Sequence, residues 1–189
     1  DQDGAEFFIK DLEGSGPDAR PALIPFGKIP MAAVSPGFFF FSNQDEYEVE
    51  VYDPSGALVR LVRKGWDPIP ITPEDGASFV ENLVGGVENP AQQAAMRSFY
   101  GELPLPPAFP PHGELKGDAL DHLWVEDFQR PGEENRTWNI FDAEGAWVGR
   151  VTLPENFNPF QIGPDFILGL GWDEMDVEYV RMYDLGRPG

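Results

Sequence analysis

The chain has 189 residues, enough for one sizeable domain, and 41% of them are apolar, so a packed core is expected. Its 33 acidic and 13 basic residues give a net charge of −20, which disfavours nucleic acid and anionic membrane surfaces as partners. The absence of cysteine excludes disulfides, thiol catalysis and cysteine-ligated metals.

The composition favours β-structure. The 15 phenylalanines suit pleated sheet, and the 21 glycines and 20 prolines are scattered, as expected for tight turns between many short strands. No apolar run is long enough to cross a membrane. Residues 1–4 do not resemble a signal peptide, so either the protein is cytoplasmic or its native N-terminus lies upstream.

A repeated unit of about 42 residues organises the chain. Each unit has a strand that ends in Asp before a glycine-containing turn, and these residues lie 42 positions apart in the pairs Asp11–Asp53 and Asp142–Asp184. The interval of 89 residues between the pairs holds one further unit and an insertion or a degraded unit. Because this length is typical of one four-stranded propeller blade, the sequence predicts an all-β partial β-propeller of antiparallel blades with a helical insertion.

The predicted elements form four blades, whole or partial, and one insertion. A partial blade (1–27) has strands at 6–12 and 22–26, and a full blade (28–65) has strands at 31–35, 38–42, 47–52 and 57–63. An insertion (66–111) has a helix that begins at Thr72, a second helix at 90–100 and an extended segment at 103–111. A second full blade (112–155) has strands at 113–117, 122–127, 137–141 and 147–153, and a last blade (156–185) has strands at 160–162, 166–171 and 177–183 but lacks a fourth.

Local signals support these bounds. Thr72 is a good helix cap, since Pro73 and two acids follow it. The segments 53–56 and 142–145 are predicted to be tight hairpin turns, in which the leading Asp bonds backbone amides and the closing Gly supplies a positive φ.

Several motifs resemble those of bacterial six-bladed β-propeller proteins, relatives of the NHL-type propellers. The motifs are Ala33-Val-Ser-Pro36, Glu48-Val-Glu-Val-Tyr-Asp-Pro-Ser-Gly56, Ile71-Thr-Pro-Glu-Asp75, Trp138-Asn-Ile-Phe-Asp-Ala-Glu-Gly145 and Val177-Glu-Tyr-Val-Arg-Met-Tyr183. The resemblance covers nearly all of the chain and corresponds to the C-terminal half of such a protein. These are blade motifs, so they specify the fold well and the activity hardly at all.

The resemblance implies further blades upstream, because six blades need roughly 250 residues. It also implies a location outside the cytoplasm (periplasmic, secreted or lipid-anchored), and a last blade completed by a strand from the N-terminus. The alternative is a closed four-bladed ring with one blade concealed in the insertion, although the composition of residues 92–97 argues against a sheet there.

Propellers bind ligands at one mouth of the ring, on the loops that join strands two and three and on those between blades. The candidate ligand-binding residues on these loops are Asn43, Asp45, Trp66, Arg130, Trp172, Asp173 and Glu174. An indole beside two acids, as at 172–174, suits a cation or a sugar, and the alternative is a solvated acidic loop. Trp124, Trp138 and Trp147 fall inside predicted strands and are expected to pack between blades.

No catalytic residue or cofactor is predicted. His112 and His122 lack converging partners in sequence, and no EF-hand, nucleophile elbow or phosphate loop is present. The function expected is therefore a non-enzymatic binding or scaffold module for a protein, peptide or glycan. The alternatives are a purely structural domain of a larger assembly and a lactonase-like hydrolase that holds a metal such as calcium with Asn43, Asn135 and Asp173.

Overall fold

The computed structural model describes residues 7–8, 22–133, 135–175 and 177–187. These residues are mostly β, in three antiparallel sheets of three or four strands, with a short two-stranded sheet and two helices. The strands are β1 (Phe7–Phe8), β2 (Ala22–Leu23), β3 (Met31–Val34), β4 (Phe39–Ser42), β5 (Glu48–Tyr52), β6 (Leu58–Arg63), β7 (Leu115–Gly117), β8 (Leu123–Glu126), β9 (Asn135–Phe141), β10 (Trp147–Pro154), β11 (Phe157–Ile162), β12 (Phe166–Trp172) and β13 (Glu178–Asp184). The helices are α1 (Pro73–Gly85) and α2 (Pro90–Gly101).

Each large sheet takes its strands in chain order. Sheet I is β3-β4-β5-β6, sheet II is β7-β8-β9-β10 and sheet III is β11-β12-β13. The predicted strands of these three sheets and both predicted helices are present. The predicted segments 6–12 and 22–26 are strand only at β1 and β2 among the described residues, and most of the former lies outside them.

One strand begins earlier than predicted. β11 begins at Phe157 and not at residue 160. The sequence signal failed because Pro159 is a poor residue for a central strand. In the structure β11 is an edge strand, and its register with β12 shifts between Pro159 and Gln161, so the missing N–H is tolerated.

The predicted turn chemistry is confirmed. The Asp53 carboxylate accepts hydrogen bonds from the amides of Ser55 and Ala57 at 2.8 and 3.1 Å, and Gly56 has φ +82°. Asp142 bonds the amides of residues 144 and 146 in the same way. These two turns fix the register of the outer hairpins in sheets I and II.

The first helix also begins as predicted. Thr72 is the N-cap, its hydroxyl accepts from the Asp75 amide, and the Asp75 carboxylate accepts from the Thr72 amide. Arg97 of α2 holds the two helices together by bonding both carboxylate oxygens of Glu81 at 2.9 and 3.0 Å.

The three large sheets are stacked face to face with sheet II in the middle. The core between sheets I and II consists of Phe40, Tyr47, Val49, Val51, Val62, Leu115, Leu123, Val125 and Phe141. The core between sheets II and III consists of Trp124, Trp138, Ile140, Leu153, Phe157, Ile162 and Ile167. Because neighbouring side chains of a strand point to opposite faces, β8 contributes to both cores and is buried throughout.

The outer faces at the two ends of the stack carry exposed apolar side chains among charged ones. On sheet I, Val34 and Phe39 are paired across the outer face and are 67% and 41% exposed. On sheet III, Val180 and Met182 are each 65% exposed.

Candidate functional site

The strand order places the loops of all three sheets at two ends. The loops β4–β5 and β8–β9 and the insertion between β6 and β7 lie at one end, which we call the helix end. The short loops β3–β4, β7–β8 and β11–β12 lie at the other, which we call the turn end. At the turn end, the Asp121 carboxylate accepts from the Gly37 amide at 2.7 Å and so ties sheet II to sheet I.

The helix end carries a cavity of about 470 Å³. Trp66, which follows β6, lines it together with Arg130 of the β8–β9 loop and Asn135, the first residue of β9. The rest of its lining consists of Ile69, Phe109, Pro110, Pro111, Asp127, Phe128, Gln129, Glu133 and Thr137. A cleft of this size with aromatic walls and a few polar groups is typical of a ligand site.

An aromatic cluster fixes the wall of this cavity. Phe109 lies 5.5 Å from Phe128 between ring centroids, and Phe26 packs edge-on against Phe79 of α1 at 5.3 Å and Phe109 at 5.0 Å. The insertion is therefore anchored by rings, and it brings Phe109 and its neighbouring prolines back over the β8–β9 loop.

Arg130 is held in place by Glu133. The guanidinium donates from Nε to Oε1 at 2.8 Å, and the Arg130 amide donates to Oε2 at 3.0 Å. Burial acts to raise the pKa of Glu133, but these hydrogen bonds outweigh it and hold the pKa below its usual value. Glu133 therefore stays ionised and keeps the Arg130 side chain at the cavity.

The cavity continues along the seam between sheets I and II. A second cavity of about 450 Å³ shares Trp66 with the first and is also lined by Tyr47 and Lys64. A third, of about 410 Å³, shares Lys64 with the second and is lined by Asn139, Trp147 and Arg150. Neighbouring cavities share one lining residue, Trp66 or Lys64, and we call the three together the seam groove.

A polar cluster forms one wall of the seam groove. The Asp127 carboxylate accepts from Asn139 Nδ2 at 2.7 Å and from Arg150 Nη2 at 3.1 Å, and Lys64 Nζ lies 3.6 Å away. Lys64 Nζ also donates to Asn139 Oδ1 at 3.0 Å. One carboxylate thus lies between two cations.

Tyr47 is buried next to this cluster. Its hydroxyl has no hydrogen-bond partner of good geometry among the described residues, although the Asn139 side chain lies close to it. Burial, followed by the negative charge of Asp127, raises the pKa of Tyr47, so the phenol stays neutral. Lys64 Nζ lies 5.0 Å from the centroid of its ring.

The structure brings together only some of the predicted ligand-binding residues. Trp66 and Arg130 line the first cavity. Asn43 and Asp45 instead bond one another, with Asn43 Nδ2 2.8 Å from Asp45 Oδ2, and Lys28 pairs with Asp45 at 2.7 Å. Asn43 and Asp45 therefore bond one another within their own loop, and neither lines the first cavity.

The third predicted loop lies on sheet III. The Asp173 carboxylate accepts from the amides of Met175 and Val177 at 2.8 and 3.1 Å, which is the turn pattern of Asp53 and Asp142. The Trp172 carbonyl accepts from the side chain of Asn156 at 2.6 Å. Glu174 is exposed beside them. None of residues 172–174 is among the described residues that line the seam groove.

The two histidines have structural partners. His112 is fully buried and bonds Ser42, and burial lowers its pKa. His122 Nδ1 lies 3.0 Å from Asp118 and 2.7 Å from Arg187 Nη1. Arg187 also bonds the Asp118 carboxylate, so the two residues join sheet II to the segment after β13.

No three His, Asp or Glu side chains group as metal ligands do within the described residues. Of the three residues considered as a lactonase-type metal set, Asn135 lines the first cavity and Asn43 and Asp173 do not. Asp176, which neighbours that loop, lies outside the described residues.

Sequence reasoning missed the polar side of the groove. Tyr47, Lys64, Asn139 and Arg150 lie in or beside strands, where strand patterning alone gives no sign of a site. The available signal was Asn139, a polar residue on the β9 face that also carries the buried Phe141.

Trp147 was expected to pack between sheets, and that prediction is wrong: it is 57% exposed, because it begins the outer strand β10 beyond the cover of sheet I.

The chain was compared with known proteins. It matches no protein-family model and no curated protein.

Within the described ranges, neither helix has the length and apolar character needed to cross a lipid bilayer.

Proposed function

We propose that this chain is a portion of a β-propeller that acts as a binding module and binds its ligand at the helix end, in the seam groove. The observation that carries the proposal is the 470 Å³ cavity, where Trp66 and Arg130 meet the aromatic wall of the insertion. The partner classes we propose are a protein, a peptide or a glycan. An enzymatic role is not proposed, because the groove has aromatic and ion-paired walls but no nucleophile beside a base among the described residues.

Two features support the propeller arrangement. Each sheet takes its strands in chain order and corresponds to one unit of the sequence repeat. Both outer faces of the stack carry exposed apolar side chains, as expected if further sheets continue it in both directions. The location outside the cytoplasm rests on the family resemblance alone and is proposed with the propeller.

Ligand screening with matched variants tests the binding function. Peptide and glycan libraries are screened by ligand-observed NMR against the wild type, Trp66→Ala, Arg130→Gln and the control Arg97→Gln on α2. We expect hits that are lost in Trp66→Ala and weakened in Arg130→Gln but kept in the control. A screen without hits, or hits that survive both groove substitutions, contradicts the proposal.

A chelator separates this function from metal-dependent hydrolysis. We propose that binding needs no metal, so EDTA leaves both the melting temperature and the affinity for a confirmed hit unchanged. A melting temperature that falls with EDTA and recovers with calcium overturns this part and favours the hydrolase.

A further inference from the structure

The seam groove is less acidic than the chain as a whole. Among the described residues, its three cavities are lined by four basic side chains (Arg63, Lys64, Arg130 and Arg150) and three acidic ones (Glu46, Asp127 and Glu133). The whole chain has 33 acidic residues and 13 basic ones. An anionic ligand is repelled by the molecule as a whole, so it needs a local site of this kind.

The pairing within the groove leaves cationic donors unused. Lys64 and Arg150 share the single carboxylate of Asp127, which also accepts from Asn139. The Arg150 side chain is 55% exposed and gives only Nη2 to Asp127 among the described residues. A guanidinium has further N–H donors in a planar fork that matches a carboxylate.

An exposed indole lies beside these cations. Trp147 lines the same 410 Å³ cavity as Lys64 and Arg150. An indole is a flat apolar surface with a polar edge, and it suits a ring that presents an apolar face between polar substituents. Sugar rings have such faces. Trp66 lines the neighbouring cavity, which also has Lys64 in its wall, and offers a second indole in the same groove.

The polar wall behind Lys64 is unusual for a packed interface. The Tyr47 hydroxyl is buried and has no partner of good geometry among the described residues, and Asn139 occupies a position where strand alternation calls for an apolar residue. Buried polar groups without partners are rare in folded proteins. Trp138 Nε1, in the core between sheets II and III, likewise has no partner among the described residues, so what sets the seam apart is the polar contact of Asn139 with Lys64 and Asp127.

We propose that the groove binds an acidic saccharide, with a pyranose ring stacked on Trp147 and its carboxylate bonded by Lys64 and Arg150. This inference rests on the proposed function, because it names the ligand class of the same groove. The second indole, Trp66, fits an oligosaccharide with more than one ring, and the carboxylated sugar lies at the Trp147 end.

The test uses glucuronate and a short oligogalacturonate as probes, with glucose and inorganic sulfate for comparison. Affinities are measured by titration calorimetry and tryptophan fluorescence for the wild type, Lys64→Gln, Arg150→Gln, Trp147→Ala and the control Arg97→Gln. Far-ultraviolet circular dichroism establishes that each variant is folded; Trp147 and Arg150 are exposed, so their substitution leaves the core intact.

We expect both acidic probes to bind, the oligomer more tightly, and glucose not to bind. Each of the three groove substitutions weakens binding by about tenfold or more, through loss of a hydrogen bond to the carboxylate at Lys64 or Arg150 or of the stacking surface at Trp147, and the control leaves it unchanged. Sulfate that competes as well as glucuronate, with no effect of Trp147→Ala, overturns the saccharide and leaves an adventitious anion site. The inference also fails if no acidic probe binds.

The failure of this inference is distinguishable from failure of the proposed function. A library ligand that requires Trp66 and Arg130 but is indifferent to Lys64, Arg150 and Trp147 keeps the proposed function and overturns the acidic saccharide. An acidic peptide that occupies the groove in place of the sugars has the same consequence.

Discussion

His112 is fully buried between the end of β4 and the start of sheet II. Its Nδ1 lies 2.9 Å from the Gly113 carbonyl, which can only accept, so Nδ1 donates the hydrogen bond. Nε2 lies 2.8 Å from Ser42 Oγ and accepts from that hydroxyl. Both ring nitrogens are thus used by a neutral imidazole, and burial lowers the pKa of His112 below 6.5, the value expected in the unfolded chain.

We therefore expect His112 to make stability depend on pH. As pH falls below about 6.5, the unfolded chain binds a proton on this ring that the folded protein does not, so the free energy of unfolding falls. Urea unfolding at pH 7.5, 6.5 and 5.5 measures this, with His112→Asn as the reference. The wild type should lose more stability than the variant across this range; equal losses contradict the account.

Arg136, whose side chain is 14% exposed, pairs with the buried carboxylate of Glu126, which is 6% exposed. Arg136 also pairs with Glu114 at 3.3 Å and lies over the buried Trp138 ring. Removal of the cation leaves a buried carboxylate without its main partner. That arrangement is costly because the carboxylate is out of water.

We expect Arg136→Met to lower the free energy of unfolding by about 3–5 kcal/mol, and the double variant Arg136→Met/Glu126→Gln to lower it by less. Arg63→Met breaks the exposed pair with Glu48 and should cost only about 0–1 kcal/mol. Chemical denaturation of the wild type and these three variants measures the differences. Similar losses for Arg136→Met and Arg63→Met contradict the burial argument.

At the scale of elements, sheets I and II meet by close backbone contact as well as by side chains. A Cβ placed on Gly117 of β7 would lie 2.2 Å from the carbonyl oxygen of Val34 in β3. Gly149 of β10 also lies in a strand of sheet II, but a Cβ placed on it meets nothing within 4 Å. The first strand of sheet II therefore has no room for a side chain where it meets the first strand of sheet I.

Gly117→Ala should consequently lower the melting temperature, since β3 and β7 must move apart, whereas Gly149→Ala should leave it unchanged or raise it slightly. Differential scanning calorimetry of the two single variants makes the comparison. A Gly117→Ala protein as stable as the wild type would show that the two strands do not approach in this way.

Elements of this fold were predictable where the signal is local. The alternation at Glu48–Tyr52 and the Asp-led turns at Asp53 and Asp142 specify strands and hairpins from neighbouring residues alone. Likewise, Thr72 and Pro73 specify the start of α1. Pro159 misled the prediction of β11, because only the sheet order shows that this strand lies at an edge and tolerates proline.

At the scale of the whole molecule, the site was less predictable than the fold. Trp66 and Arg130 are recognisable in sequence as loop residues, but their meeting in one cavity depends on how the insertion folds back through Phe109. The contacts of Lys64 with Asp127 and Asn139 join two sheets across the seam. Sequence spacing does not show such contacts, because they depend on sheet packing.

The stack of three sheets leaves Val34 on one outer face and Met182 on the other. If the sheets are successive propeller blades, both faces are covered by further sheets in the native protein. If the chain is instead a freestanding stack, both faces meet solvent. Burial of these two positions therefore distinguishes the propeller from the freestanding stack.

Thiol labelling in the native protein measures this directly. The chain has no cysteine, so Val34→Cys and Met182→Cys each introduce a unique thiol, and Glu144→Cys in the hairpin turn after β9 serves as the reference. With the protein expressed from its own gene in its natural host, we predict that the thiols at 34 and 182 react far more slowly than the thiol at 144. Equal reaction rates at all three positions would contradict the propeller.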